Sequence, residues 1–251
     1  MSLLNDIPPA ALHFYLTAPY ACSYLPDLQA RSQVATPVFL ISTPVYSELV
    51  QHGFRRSGAY TYRPHCDGCR ACVPLRVPAK QFAASRSQRR AWAQHAHLQI
   101  SLHPLLDSAE HYELYQRYQR ARHPNGGMDD DCESYRNFLL QSHVDSLLVE
   151  FREQGVLRMV SVIDLLSDGL SSVYTFYDPD LPRARLGVYN VLWQIKLCRK
   201  LELDFVYLGY WIKHSRKMAY KTGYRPAQGL IDGIWQPLGK EFMTKDAHGN
   251  L

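Results

Sequence analysis

No stretch of the 251 residues approaches the about 18–20 uninterrupted apolar positions that a membrane-spanning helix needs. A bilayer-crossing helix is therefore excluded. The start also lacks the charged opening of a secretory signal: no Lys or Arg precedes the apolar residues from Pro8 to Cys22, and Asp6 stands ahead of them. There is no Gly-x-Ser-x-Gly elbow, no local Ser-His-Asp signature, no glycine-rich phosphate loop, no internal repeat and no low-complexity tract. These absences argue against hydrolases with an exposed serine, P-loop nucleotidases and solenoids. A cytoplasmic location is expected, where the six cysteines are reduced thiols, metal ligands or core residues and not a disulfide frame.

Acidic residues are scarce in one window only. Residues 51–100 hold Asp67 alone against nine Lys and Arg, a net +8, so the rest of the +5 chain sums to −3. One strongly basic portion on a neutral-to-acidic body suits a phosphate-backbone partner, although a solvated basic face has the same composition. With 46% hydrophobic and 12% aromatic residues the chain can bury one large core or two small ones.

Periodicity places the elements. Thr43-Pro44 opens a short helix that Gly53 closes, with Val45, Leu49 and Val50 on one face. Strand-like pieces at Tyr60–Arg63 and Pro74–Val77 bracket Cys66, Cys69 and Cys72. Ser85 to His95 reads as a very basic helix, Leu98–Leu102 as extended, and Asp107 with Glu110 as the start of a helix running to about Arg122. Leu147–Phe151, Val156–Ile163 and Ser171–Tyr177 read as an antiparallel meander. Val188, Val191, Leu192, Ile195 and Cys198 recur at helical spacing, Asp204–Tyr210 reads as a strand, and a helix-like piece near Lys213–Lys221 and a strand around Leu230–Trp235 follow. Strand, strand, strand, helix, strand is the order of the acetyltransferase-like (GNAT-like) fold, an order that several unrelated topologies share. The expected architecture is mixed α+β or α/β: a smaller cysteine-containing N-terminal region over residues 1–105 and an acetyltransferase-like domain over 106–251.

Cys66, Cys69 and Cys72 form C-x2-C-x2-C, which brings three soft thiolates round one centre. Zinc and iron–sulfur clusters commonly take four protein ligands, so Cys22 or His65 is expected as the fourth. Three thiols lining a turn is the alternative. Cys198 lies on an apolar helix face and is expected in the core, while Cys132 has no partner nearby in sequence.

Seven blocks then recur in order: Cys22-Ser23-Tyr24-Leu25-Pro26, Gly53-Phe54-Arg55-Arg56-Ser57-Gly58, Tyr62-Arg63-Pro64-His65-Cys66-Asp67-Gly68-Cys69, Ser85-Arg86-Ser87-Gln88-Arg89-Arg90, Tyr174-Thr175-Phe176-Tyr177-Asp178-Pro179, Leu186-Gly187-Val188-Tyr189 and Tyr207-Leu208-Gly209-Tyr210-Trp211-Ile212. Together they resemble the arginyl-tRNA–protein transferase family, most closely its short bacterial aspartate/glutamate leucyltransferase branch, from about residue 15 to residue 235. The resemblance implies transfer of an aminoacyl group from charged tRNA to the N-terminal Asp or Glu of a protein, marking it for degradation. The arginine branch has Cys-Gly-Tyr-Cys where this chain has Cys22-Ser23-Tyr24-Leu25, which favours leucyl-tRNA over arginyl-tRNA as donor; Cys72 is the candidate stand-in for the missing cysteine.

Such a reaction is aminolysis of an ester. It needs an acceptor for the amine proton, a donor for the tetrahedral oxyanion and help for the departing ribose oxygen, but no nucleophilic residue and no cofactor. Tyr177, Asp178 and Tyr189 fall where acetyltransferase-like folds open their cleft: a tyrosine to donate to the oxyanion or leaving oxygen, Asp178 to hold an ammonium. A turn at Asp178-Pro179-Asp180 flanked by half-buried tyrosines is the plainer alternative. Arg86, Arg89 and Arg90, beside Trp92, are the candidates for tRNA backbone. Lys213, Arg216, Lys217, Lys221 and Arg225, interleaved with Tyr220 and Tyr224, form a second basic group near the cleft. For the acceptor's carboxylate the candidates are Arg55 and Arg56, by bidentate geometry, then Lys217 and Lys221, with Tyr210 lining the same site. Two other classes compete. An acyl-CoA-dependent N-acyltransferase needs a pyrophosphate-binding loop, and Asp178 to Gly187 contains one glycine. A non-catalytic nucleic-acid module leaves the C-terminal hundred residues without a task.

Overall fold

The computed structural model describes residues 12–122, 131–181, 184–215 and 218–239. In chain order the strands and helices are β1 (His13–Leu16), β2 (Tyr20–Ala21), β3 (Gln29–Ala30), β4 (Ser32–Thr36), α1 (Thr43–Gln51), β5 (Arg55–Ser57), β6 (Tyr60–Pro64), β7 (Val73–Pro78), α2 (Arg86–His95), β8 (Gln99–His103), α3 (Ala109–Arg122), α4 (Cys132–Tyr135), β9 (Ser146–Glu153), β10 (Val156–Leu165), β11 (Gly169–Tyr177), α5 (Leu186–Lys200), β12 (Phe205–Trp211), β13 (Gln228–Ile231) and β14 (Ile234–Pro237). A π-helical turn, Arg136–Leu140, extends α4, and a 3-10 turn, Ala219–Gly223, precedes β13.

The architecture is mixed α+β around one large mixed sheet. Its order is β14-β13-β7-β12-β11-β10-β9-β8, and a four-stranded sheet, β1-β4-β6-β5, stands beside a two-stranded β2-β3 ribbon. The β9–β10–β11 meander, the helix α5 and the strand β12 match the expected series. Alternation along the meander feeds two cores. Val149, Phe151, Met159 and Ile163 face Leu186, Tyr189 and Trp193 of α5, while Leu148, Val160 and Phe176 face Leu114 and Tyr115 of α3. The helix α2 starts on a full capping box, Gln88 donating its backbone N–H to Ser85 Oγ (3.3 Å) and accepting from the Ser85 N–H at Oε1 (2.8 Å).

Residue 105 does not divide the large sheet. Both β7 and β8 precede it, yet β7 lies between β12 and β13, and β8 edges β9. The tail also differs from the expected single strand: Asp232 (φ 51°) and Gly233 (φ 79°) turn β13 back into β14 as a two-residue hairpin.

Candidate active site

Among the described residues one pairing in the large sheet is parallel, and it is short. Strands β11 and β12 match Gly169 with Phe205, Leu170 with Val206 and Ser171 with Tyr207, and no further. Beyond Ser171 the next two carbonyls of β11 are taken by a side chain: Arg55 donates from Nη2 to Ser172 O (2.6 Å) and Val173 O (3.1 Å). On the other lip β12 bulges at Gly209, whose φ of +72° and missing Cβ let the Arg55 guanidinium pack directly against the backbone. The following carbonyl, Tyr210 O, accepts from Lys221 Nζ at 2.7 Å. Lys221 is 5% exposed. Arg55 and Lys221 thus hold opposite parts of the opening between two diverging strands, and among the described residues neither meets a carboxylate.

Two of the other charged candidates, Arg56 and Asp178, are already paired. Arg56, next to Arg55 in β5, points to the opposite face and is buried against Asp164, with Nε and Nη2 at 2.7–2.9 Å from its carboxylate. It also donates to Gly58 O, Gln141 O and Ser146 Oγ. A guanidinium satisfied inside the core cannot read an acceptor, so Arg56 leaves the substrate set. Asp178 is likewise saturated: Arg117 (2.7 Å), Arg158 (2.8 Å) and the backbone N–H of Asp180 (3.2 Å) occupy its oxygens. It braces the end of β11 and is not an ammonium site. Tyr189 packs in the core against Trp92, His95 and Phe151. Tyr210 spends its hydroxyl on Gly53 O (2.9 Å), so its contribution to the site is its carbonyl. Tyr177 fits better. It ends β11 beside Gly187 of α5, its ring meets Tyr118 edge-on at 4.9 Å, and Arg122 lies 5.6 Å over it.

The second basic group does not form one surface. Lys221 is buried, Lys213 and Arg225 are exposed, Tyr224 is core, and Arg216 and Lys217 lie outside the described residues. A polar band that sequence reasoning missed runs under α5. Asn190 donates to Thr175 Oγ1 (2.8 Å), and Gln194 reaches Ser161 and Ser172 (3.3 Å each). The side-chain carbonyls of Asn190 and Gln194 are buried without a partner among the described residues. Two amides four residues apart on an otherwise apolar helix stripe were the available signal.

Cys22, Cys66, Cys69 and Cys72 share one neighbourhood. Burial and the thiols of Cys66, Cys22 and Cys69 push Cys72 up to about 12. All four are free thiols. As placed they do not close into a coordination sphere: among the described residues no group of three or more His, Cys, Asp or Glu meets metal-ligand geometry. The neighbourhood adjoins the opening, because Tyr24 feels Tyr62, Arg55, Cys72 and Cys22 together.

A family model described as arginine-tRNA-protein transferase, N terminus, matches residues 20–90, and its C-terminal counterpart matches residues 110–231. The chain belongs to the arginine-tRNA-protein transferase family. Within the family it stands in the bacterial leucyltransferase branch. It is 63% identical over 239 residues to the aspartate/glutamate leucyltransferase of Nitrosospira multiformis, covering 95% of each chain. Against that of Chromobacterium violaceum it is 58% identical, covering 91% of this chain and 95% of the relative. Among solved structures it is similar to L-PGS from Bacillus licheniformis, at 12% identity and a TM-score of 0.49, over 66% of this chain and 58% of that one.

In this family member α2 displays Arg86, Arg89 and Arg90 to solvent, and none of them meets a carboxylate among the described residues. Arg89 rests on Ala84 O (2.7 Å), and Lys196 caps the Trp92 ring at 5.0 Å. Among the described residues no helix is long and apolar enough to cross a membrane.

Proposed function

We infer that the protein moves leucine from leucyl-tRNA to the N-terminal Asp or Glu of acceptor proteins, the modification by which the N-end rule marks them for degradation. The near-full-length identity to aspartate/glutamate leucyltransferases carries this reading. The opening between β11 and β12 supports it, since among the described residues no carboxylate pairs with Arg55 or Lys221 there. An acidic side chain supplies what they lack, with Arg55 as the fork that tells Asp from Asn. Tyr177 is the reading's donor to the oxyanion or the departing ribose oxygen. Parallel strands that part beside a helix N-terminus are how an acetyltransferase-like fold makes its cleft, and that is the finer fold reading adopted for this sheet. Charged tRNA as a substrate sets the reaction in the cytoplasm. The deciding assay supplies leucyl- and arginyl-tRNA with peptides beginning Asp, Glu or Ala. Transfer of leucine to Asp and Glu peptides alone is expected; arginine transfer would move the protein to the other branch, and no transfer from either would end the reading.

The tRNA backbone is assigned to the exposed arginines of α2. Replacing Arg86, Arg89 and Arg90 by Ala should weaken charged and uncharged tRNA equally and flatten the log–log salt dependence by up to about one unit per lost contact. Unchanged affinity and slope would leave α2 a solvated face.

The four cysteines are the donor set for a soft metal or an iron–sulfur cluster, which would tie the Cys22 loop to the Cys66–Cys72 loop and take no part in acyl transfer. Anaerobically purified protein should contain zinc or iron, and Cys66→Ser with Cys69→Ser should remove it and lower the melting temperature. Neither metal in the wild type, with unchanged melting of the variant, would reduce the cluster to four thiols lining a turn.

A further inference from the structure

We propose that Lys221 is the group that takes the proton from the attacking α-amine and hands it to the departing ribose oxygen. The inference rests on the aminoacyl-transfer reading and assigns the one role that reading leaves open.

Arg56 and Lys221 are the two lysine or arginine residues buried among the described residues, and they differ in what faces them. Arg56 has Asp164, Arg117 and Arg158 have Asp178, and Arg152 has Glu150 and Glu110. Among the described residues Lys221 has one neutral partner, the carbonyl of Tyr210, for an ammonium that carries three donors, and it is 5% exposed. A buried charge so poorly matched is costly, and a neutral amine in the same place is not. The groups around it reinforce this. From β5 comes Arg55, a second cation; from β12 the Tyr210 side chain turns away to Gly53 O; on its own turn stand Tyr220 and Tyr224. Among the described residues no carboxylate pairs with it. Burial, with Arg55 adding to it, brings Lys221 down to about 7. That lies close to the ordinary range of an α-amine, about 7.7–8.0, and proton transfer is most efficient between groups matched to each other and to the working pH. The amine stands where β11 and β12 part, on the opposite lip from the Arg55 contacts to Ser172 O and Val173 O.

The steps balance. The neutral α-amine attacks the ester carbonyl, forming the C–N bond while its proton passes to Lys221 Nζ. The tetrahedral intermediate collapses, the C–O bond to the terminal adenosine breaks, and the ribose oxygen leaves with the electron pair and recovers the proton from Lys221. An amide and deacylated tRNA result, with Lys221 neutral again.

The test is single-turnover transfer from leucyl-tRNA to an Asp peptide with wild type, Lys221→Arg, Lys221→Met and Lys221→Ala. A proton carrier predicts a loss of about 10²–10⁴-fold for Lys221→Arg and Lys221→Met with leucyl-tRNA binding retained. It also predicts recovery of Lys221→Ala by added methylamine in proportion to its neutral form. Lys221→Met should melt at or above wild type near pH 6. Because the folded state holds the proton less tightly than the unfolded chain, the native lysine costs most below about 7, and that difference should shrink as pH rises toward 10. Arg55→Gln removes the repelling charge, so the acidic limb of its rate–pH profile should move to higher pH. Full activity in Lys221→Arg would make the charge, not the proton, what matters and would overturn the proposal. So would loss of activity that tracks loss of folding in every variant, with no methylamine rescue. A wild type that transfers nothing would instead refute the aminoacyl-transfer reading itself.

Discussion

Arg56→Ala is expected to lower stability by about 3–5 kcal/mol, a fall on the order of 10 °C in melting temperature, because it leaves Asp164 charged and unpaired at 0% side-chain exposure. Three further acceptors lose their donor with it: Gly58 O, Gln141 O and Ser146 Oγ. Arg56→Lys keeps the charge but cannot reproduce the two-pronged contact, so it should fall between wild type and Ala. Thermal or urea unfolding checks this directly. Michaelis constants for tRNA and acceptor should stay near wild type in whatever fraction remains folded. A selective rise in the acceptor's constant would return Arg56 to the binding site and contradict its placement in the core.

Arg55 should behave in the opposite way. Replacing it with Gln should leave the fold standing, since its polar contacts are two backbone carbonyls at a partly open edge. Preference for Asp over Asn peptides should collapse by about 10–100-fold, the worth of one charge-assisted contact. Arg55→Lys restores charge without the fork and should recover only part of it. The comparison requires kcat/KM for matched Asp and Asn peptides at saturating leucyl-tRNA. If Arg55→Gln keeps the full preference, another cation reads the acceptor.

The contrast between these neighbours was legible in the sequence. Successive residues of a strand point to opposite faces, and Arg55-Arg56 occupy adjacent places in a three-residue strand, so one had to turn inward where the other turned out. Local signals served equally well elsewhere. The Ser85/Gln88 box, the meander and the apolar stripe of α5 depend on residues a few positions apart, and each element formed where the pattern puts it. The Asp232-Gly233 turn was visible too, as a two-residue hairpin signal between Ile231 and Ile234. What the sequence could not show is pairing at a distance. Asp178 sits in an Asp-Pro-Asp turn, a reasonable place for a free carboxylate, but its partners Arg117 and Arg158 are 61 and 20 residues away. Lys221 belonged to a run of cations that looked like one basic surface. Only the path of β12 shows that this lysine is drawn inside while Lys213 and Arg225 stay out.

The place of β7 governs how the chain can be made. Synthesis delivers Val73–Pro78 early, but the strands that flank it, Phe205–Trp211 and Gln228–Ile231, are among the last to emerge from the ribosome. Until then a central strand waits with both edges open, and closing it spans more than half the polypeptide, a slow and aggregation-exposed step. The nascent N-terminal portion is therefore an open-edged piece of the sheet, not a finished module. A stop codon placed after residue 105 yields an unfinished sheet, whereas two separately expressed pieces divided there carry complementary edges and can rebuild it by strand insertion.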